Sequence, residues 1–317
     1  MYPHTNPRNL GLGLASSVLA GALWGLVFLT PELTHGFQPL QLSAGRYLAY
    51  GLLATALVAP SWRRLAATLR WREWRALAWL SFTGNIIYYV FLANGVREGG
   101  VAMTSLVIGL LPVTVTLAGS RDRHAVPLRR LLPSLLLSGA GLLCISWPAV
   151  SNAHPGSLLG LLCAVGALVS WTIYAVGNSR WLARLEHVSA HEWSLLTGVV
   201  TGLQALVLAV PAFVLAPGEH PPARWLTFAA LMATVALLCS VVGNALWNRA
   251  SRLLPLTMVG QMIVFETLFA LLYGFLWEAR WPTGLESLAM VLLVAGVLSC
   301  ASAHRTEGRA EPAVAGT

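Results

Sequence analysis

Residues 253–277 read LLPLTMVGQMIVFETLFALLYGFLW, from Leu253 to Trp277, an apolar run with a single acid in its middle. As a helix rising about 1.5 Å per residue it spans roughly 37 Å, enough to cross a hydrocarbon core about 30 Å thick with some tilt. Glu266 then falls near the midplane. An ionisable group at that depth is costly and faces a protein interior or a water-filled cavity, which makes it a functional candidate. Pro255, Thr257, Gly260, Gln261 and Thr267 accompany it. Two readings stand for Glu266: a carboxylic acid hydrogen-bonded to a neighbouring helix, or a group that lines a cavity and meets a substrate or a proton.

Working outward from this run, the whole chain has the same character. Its 317 residues are 56% hydrophobic and 10% charged, with a mean hydropathy of +0.68. A soluble domain of this size has no room to hide so much apolar side chain, so the expected class is an all-α polytopic membrane protein. The formal charge of +8 does not point to nucleic acid, because the arginines sit in short segments between apolar spans, where they set topology. All 20 basic residues are arginine. Cys144, Cys163, Cys239 and Cys300 fall in or beside apolar spans without CxxC spacing, so neither a disulfide framework nor a metal site is indicated, and no cofactor is expected. The first span lacks a small-x-small cleavage site before Pro31, so no cleaved leader is expected.

Hydropathy divides the chain into ten spans. They run at about 10–30, 40–60, 73–94, 101–119, 128–147, 157–178, 191–216, 224–247, 253–277 and 285–303. A polar turn with Pro148, Asn152, Pro155 and Gly156 separates two halves, 10–147 and 157–303, and residues 304–317 read as a disordered polar tail. Alternate inter-span segments carry sixteen arginines against three, with Arg46 left inside the second span. That bias places both termini in the cytoplasm.

The two halves resemble one another. Ala102–Leu117, AMTSLVIGLLPVTVTL, lies over Thr257–Leu272, TMVGQMIVFETLFALL, at an offset of 155. The same offset brings Gly141-Leu-Leu-Cys144 to Gly296 through Cys300 within a residue, and Leu92-Ala-Asn94 matches Leu246-Trp-Asn248. Five spans per half is an odd number, so the second copy enters from the opposite side. Inverted repeats are how many secondary carriers build two related gates around one midplane site.

These features resemble the EamA-like carriers of the drug/metabolite transporter superfamily. The resemblance covers Leu10 to Ala303 and rests on several short runs. They are ALWG at Ala22–Gly25 with its partner VSWTIY at Val169–Tyr174, Gly109-Leu-Leu-Pro112-Val, the glycine-rich fifth and tenth spans, and Trp247-Asn248. It implies a carrier, often an exporter of amino acids or related metabolites, with a cavity lined by the first, third and fourth spans and their repeat mates. Where the family often has a second proline matching Pro112, this chain has Phe265-Glu266-Thr267. Either a hinge is missing on that side or Glu266 is specialised.

Residue patterns add candidates. Asn85, Tyr88, Tyr89 and Asn94 share one side of the third span, and Asn244, Trp247 and Asn248 repeat that spacing in the eighth. Such amides face away from lipid, as cavity lining or as ordinary interhelical hydrogen bonds. Trp24, Trp171 and Tyr174 are either aromatic walls for a planar substrate or packing. Trp62, Trp71, Trp74 and Trp79 read as interface anchors. Arg46, about 10 Å from the external end of its span, either snorkels outward or pairs with Glu266 or a substrate carboxylate. All eight histidines lie in loops or tails, so Glu266 is the group best placed to carry a coupling proton. Pro112 is the expected hinge. Gly21–Gly25, Gly156–Gly160 and Gly198–Gly202 read as close helix contacts.

The expectation is a secondary transporter of small organic metabolites, amino-acid-like compounds first, acting by alternating access in the inner membrane. A toxic-compound exporter and a channel are the alternatives. No HExxH, GxSxG or intramembrane histidine supports an enzyme. The expected partners are a small-molecule substrate, the bilayer and protons, not nucleic acid, with the chain acting as monomer or homodimer.

Overall fold

The computed structural model describes residues 7–121, 126–151, 158–215 and 218–310, and the described residues are helical with short connections. The main helices are α1 Pro7–Gly25, α2 Pro39–Val58, α3 Trp71–Ser81, α4 Ile87–Ile108, α5 Leu111–Gly119, α6 Leu128–Ser151 and α7 Leu158–Arg184. They continue with α8 Ala190–Ala209, α9 Pro222–Val235, α10 Gly243–Leu253, α11 Leu256–Met262, α12 Val264–Trp277 and α13 Gly284–Ala310. Asn152, Pro155 and Gly156, read above as the turn between halves, lie outside the described residues. The segment expected to be disordered from residue 304 is helical as far as Ala310, because α13 simply continues; residues 311–317 lie outside the description.

Local chemistry accounts for several helix starts. Pro39 takes the first turn of α2, where its missing N–H costs nothing, and Gln41 Oε1 accepts from the Gln38 amide at 2.9 Å. At α8, Ser189 and Glu192 form a reciprocal capping box, with Ser189 Oγ accepting from the Glu192 amide at 3.1 Å and Glu192 Oε2 accepting from the Ser189 amide at 2.9 Å.

Among the described residues, eight helical segments are long and apolar enough to cross a membrane. They are Arg8–Leu29, Pro39–Thr68, Trp71–Glu98, Leu158–Arg184, Ala190–Leu215, Pro222–Leu253, Leu256–Trp277 and Gly284–His304. Their outer faces carry large bare hydrophobics, such as Leu52 at 75% and Val207 at 76% exposure. Water would penalise that surface and lipid would not. The spans expected at 101–119 and 128–147 are outside this set, although α6 itself is 24 residues long.

The helix α4 hides a reversal. Gly95 and Thr104 are nine residues apart, which a straight helix would part by about 13 Å. Yet a Cβ built on Gly95 would lie 3.2 Å from Thr104 Oγ1. The chain therefore turns back on itself within α4, and the return leg leads into α5.

Packing is organised by pairs drawn from both ends of the chain. The helix α2 packs on α8, α6 on α13, α5 on α11, α4 on α7, and α1 on both α10 and α12. Small residues permit several of these approaches. Gly51 and Gly202 meet so closely that a Cβ on either would lie 2.5 Å from the other's Cα. Across α5 and α11, a Cβ on Gly260 would lie 2.6 Å from Thr116 Oγ1, and one on Gly119 2.9 Å from the Thr257 amide.

Candidate functional site

The apolar run that contains Glu266 is not one helix. It breaks at Ile263, between α11 and α12. The local hydrogen bonds shorten to three-residue loops there, Ile263 N to Gly260 O at 3.4 Å and Glu266 N to Ile263 O at 3.1 Å. The break places Glu266 in the first turn of α12, where amides without helical partners and the positive end of the helix dipole favour an anion. The fourth span breaks in the same way at Gly109–Leu110, with Pro112 in the first turn of α5. These interruptions begin at residues 109 and 263, 154 apart. So the second break forms without a proline, at the position where the sequence has Phe265-Glu266-Thr267.

The first span seats this break. A Cβ on Gly21 would lie 2.6 Å from Phe265 Cβ and 3.0 Å from the Glu266 amide nitrogen, and one on Gly25 2.9 Å from the Ala270 amide. The Gly21–Gly25 pair is thus the surface on which the first turn of α12 rests.

Two further irregularities face the centre. The third and eighth spans each contain a π-helical segment, at Phe82–Ile86 and Ala236–Val242. They begin at residues 82 and 236, again 154 apart. A π turn leaves a carbonyl out of register, and a side chain inserted there stabilises it. Trp24 Nε1 donates to the Cys239 carbonyl at 2.9 Å, and Ser170 Oγ donates to the Thr83 carbonyl at 2.7 Å. Each half's first helix therefore supplies a donor to the other half's π segment. Cys239 Sγ in return donates to the Leu23 carbonyl at 3.0 Å.

Around these segments the aromatic candidates converge. Trp247 lies between Trp24, 5.1 Å away centroid to centroid, and Trp171 at 6.1 Å, and Tyr174 meets Trp171 edge-on at 5.7 Å. Trp247 is 1% exposed, and its Nε1 has no hydrogen-bond partner among the described residues. Arg46 donates from Nε to Ser240 Oγ, inside the second π segment, at 3.0 Å, and its guanidinium stands 5.8 Å from the Tyr47 ring centre. Arg46 and Tyr88 both lie within Coulombic reach of Glu266, but no direct ion pair joins Arg46 to Glu266.

The remaining candidates are engaged elsewhere. Asn248, 2% exposed, accepts at Oδ1 from Asn178 Nδ2 at 2.8 Å, and Asn178 Oδ1 accepts from Trp193 Nε1 at 2.9 Å. Gln261 is fully buried, with Oε1 accepting from Ser138 Oγ at 3.0 Å and Nε2 facing Thr116 Oγ1 at 3.4 Å. Asn85 Nδ2 donates to Thr201 Oγ1 at 3.1 Å, and the Tyr89 hydroxyl donates to the Pro39 carbonyl. Asn94 folds back on its own helix, donating to the Val90 carbonyl. Asn244 reaches the Tyr50 hydroxyl at 3.5 Å, the outer limit of a hydrogen bond, while Tyr50 donates to the Ser194 carbonyl at 2.7 Å. Among the described residues no three of His, Cys, Asp and Glu gather in a way that could hold a metal ion. Sequence reasoning did not single out Ser170, Thr83 and Ser240, or give Cys239 a role at the centre. A serine or cysteine in an apolar span carries no mark of which carbonyl it meets.

Comparison with known proteins agrees with this architecture. The model of the EamA-like transporter family matches twice in tandem, at residues 11–147 and 158–301. The Escherichia coli (strain K12) inner membrane protein YtfF is 33% identical over 305 residues, covering 90% of this chain and 94% of YtfF. An uncharacterized transporter of Archaeoglobus fulgidus is 25% identical over 301 residues, covering 94% of this chain and 98% of its own length. The transporter YoaV of Bacillus subtilis (strain 168) is 22% identical over 292 residues, covering 91% and 93%. One solved crystal structure superposes with a TM-score of 0.69 at 20% identity, over 93% of this chain and 98% of its own, which speaks for the fold. With two matches that together take in most of the chain, the protein belongs to the EamA-like transporter family of the drug/metabolite transporter superfamily and is a multi-pass membrane transporter.

Proposed function

We propose that this protein is a secondary carrier that exports small zwitterionic metabolites of the amino-acid class across the inner membrane by alternating access. The observation that carries this reading is the placement of Glu266. It occupies the first turn of a half-helix that starts inside the bundle, with the Arg46 guanidinium within Coulombic reach but not paired to it. An acidic pole and a basic pole that do not neutralise each other directly suit a ligand bearing both charges. Broken helices presenting their ends at midplane are the usual way carriers bind ions and charged substrates. In this reading Trp24, Trp171 and Trp247 are the apolar wall, with Tyr88 and Tyr174 beside them. Asn85, Tyr89, Asn244, Asn248 and Gln261 act mainly as struts that hold the wall in place.

We infer ten crossings in two halves of opposite orientation, 10–147 and 157–303. The tandem family match supports this, as do the two helix breaks and the π segments of the third and eighth spans, each pair 154 residues apart, while a third π segment at Val210–Leu215 has no such mate. The reversal between Gly95 and Thr104 supplies the additional turn that a ten-crossing path needs. The sixteen-to-three arginine bias supports cytoplasmic termini. The halves would rock about the two breaks, with Pro112 relieving one and the three-residue bonds at Ile263 relieving the other. Glu266 is the group we assign to proton coupling.

Counterflow in proteoliposomes tests this reading. Wild type loaded with unlabelled amino acids should take up labelled ones, while wild type loaded with monovalent cations should not. Uptake that proceeds at the same rate into empty vesicles would point to a channel.

A further inference from the structure

A cavity of about 900 Å³ lies outside the central bundle, where the third span meets α7 and α8. Its principal walls are Trp71, Arg72, Arg75, Trp79, Trp181 and Gln204. Four features fix what it would accept.

The first is charge. Arg72 and Arg75 stand one helical turn apart, and among the described residues neither has a carboxylate partner. Instead Arg72 lies 5.6 Å from the centre of the Trp181 ring, which holds the guanidinium by its face and leaves its N–H edge open. Trp181 is itself fixed, stacked on the fully buried Trp193 at 6.3 Å. The second is position. These arginines belong to the 63–75 cluster, so the cavity opens at the arginine-rich end of the bundle. The third is the wall: Trp71 and Trp79 are 75% and 55% exposed, the amphipathic rings that settle where hydrocarbon meets head groups. The fourth is a polar atom without a partner. Gln204 Nε2 donates to the Ala78 carbonyl at 3.0 Å, but its Oε1, shielded from solvent, accepts from none of the described residues. A desolvated acceptor in that state is costly, and turning the half-buried Gln204 amide into the cavity would bring it to a ligand donor.

We propose that this cavity is a site for an anionic glycerophospholipid with a hydroxylated head group, the phosphatidylglycerol class. The phosphodiester sits between Arg72 and Arg75, the Gln204 amide turns so that a head-group hydroxyl donates to its Oε1, and an acyl chain lies along Trp79. A small aqueous anion would leave most of the volume and the tryptophan wall unused. The lipid would touch the first half through Trp71–Trp79 and the second through Trp181 and Gln204, so its occupancy is linked to how the halves sit against one another.

Native mass spectrometry of the purified full-length chain in neutral detergent tests the site. The probes are phosphatidylglycerol, phosphatidylcholine and phosphatidylmethanol with matched acyl chains. Two arginines near a membrane surface predict about a thirtyfold preference for phosphatidylglycerol over phosphatidylcholine at one site. The Arg72→Gln/Arg75→Gln variant should lose that preference and Arg72→Lys/Arg75→Lys should keep most of it. Both positions are on the exposed surface, so gel filtration of each variant checks that it is intact. Gln204→Leu should cost about fivefold for phosphatidylglycerol and nothing for phosphatidylmethanol, which has the same charge and no hydroxyl. Equal retention of all three lipids, an unchanged double glutamine variant, or displacement by soluble glycerol phosphate would each overturn the proposal.

Discussion

Gly21 and Glu266 meet backbone to backbone: the space where a Gly21 Cβ would stand lies 3.0 Å from the Glu266 amide nitrogen and 2.6 Å from Phe265 Cβ. The acid at the centre of the bundle is therefore located by a residue with no side chain, some 245 positions earlier in the chain. Nothing flexible lies in the way, since the nearest atoms are backbone or Cβ. Any side chain at position 21 must push α1 away from the first turn of α12.

Gly21→Ala tests that dependence. Overpacking a tight contact costs about 1–3 kcal/mol, so the melting temperature in detergent should fall and substrate exchange should fall with it. Gly139→Ala is the control, because a Cβ there meets nothing within 4 Å. That variant should melt at or slightly above the wild-type temperature, as alanine is the better helix former. Equal behaviour of the two variants would remove the crossing from the account of the site.

The donors that enter the π segments are tested by Trp24→Phe and Ser170→Ala. Each removes a donor to a carbonyl in the bundle interior, Cys239 in one case and Thr83 in the other. A buried acceptor left without a partner costs about 1–3 kcal/mol. The two contacts share no residue, so the double variant should show nearly the sum of the single losses in thermal or denaturant unfolding. A Trp24→Phe protein as stable as wild type would mean that packing alone maintains the bulge.

These contacts mark the boundary of what could be read from the chain itself. Most of the apolar spans and the tandem halves were legible, because hydropathy and repeat offset are local or periodic signals. The broken helix at Ile263 was not, since VGQMIVFET contains no proline and its one glycine meets Thr116, about 140 residues away in sequence. The π segments were equally silent: what caps ALLCSVV is a tryptophan from the first span. Asn248 shows the same limit from the other direction. Its spacing with Asn244 placed it on an inward face, but only the fold reveals that its acceptor is already taken by Asn178.

That amide relay makes its own prediction. Trp193 Nε1, Asn178 and Asn248 form a chain of two hydrogen bonds through fully buried groups that ties α8 and α7 to α10. Asn248→Leu strands a donor on Asn178, and Asn178→Leu strands groups on both neighbours. The double leucine variant should be less damaged than the sum of the two, with a coupling of about 0.5–3 kcal/mol in a double-mutant cycle. Strict additivity would show that the three groups act independently.

The two poles of the centre are separable by choosing the ligand. Glu266→Gln and Arg46→Gln each keep a polar side chain of similar reach while removing one charge. If Glu266 meets the ammonium of a zwitterion, Glu266→Gln should weaken binding of the amino acid but not of its deaminated carboxylic acid. If Arg46 meets the carboxylate, Arg46→Gln should spare the matching amine and weaken the acid. Hydrogen bonds to a charged partner contribute about 1.5–3 kcal/mol, so each mismatch should raise the half-saturating concentration in counterflow by roughly ten- to a hundredfold. Arg46 also holds Ser240 in the second π segment, so its loss should lower thermal stability as well, which Glu266→Gln should not do. A Glu266→Gln carrier that exchanges every ligand normally but no longer accumulates them against a gradient would assign Glu266 to coupling alone. A uniform loss for all ligands in both variants would mean that these side chains maintain the bundle and that the substrate binds elsewhere.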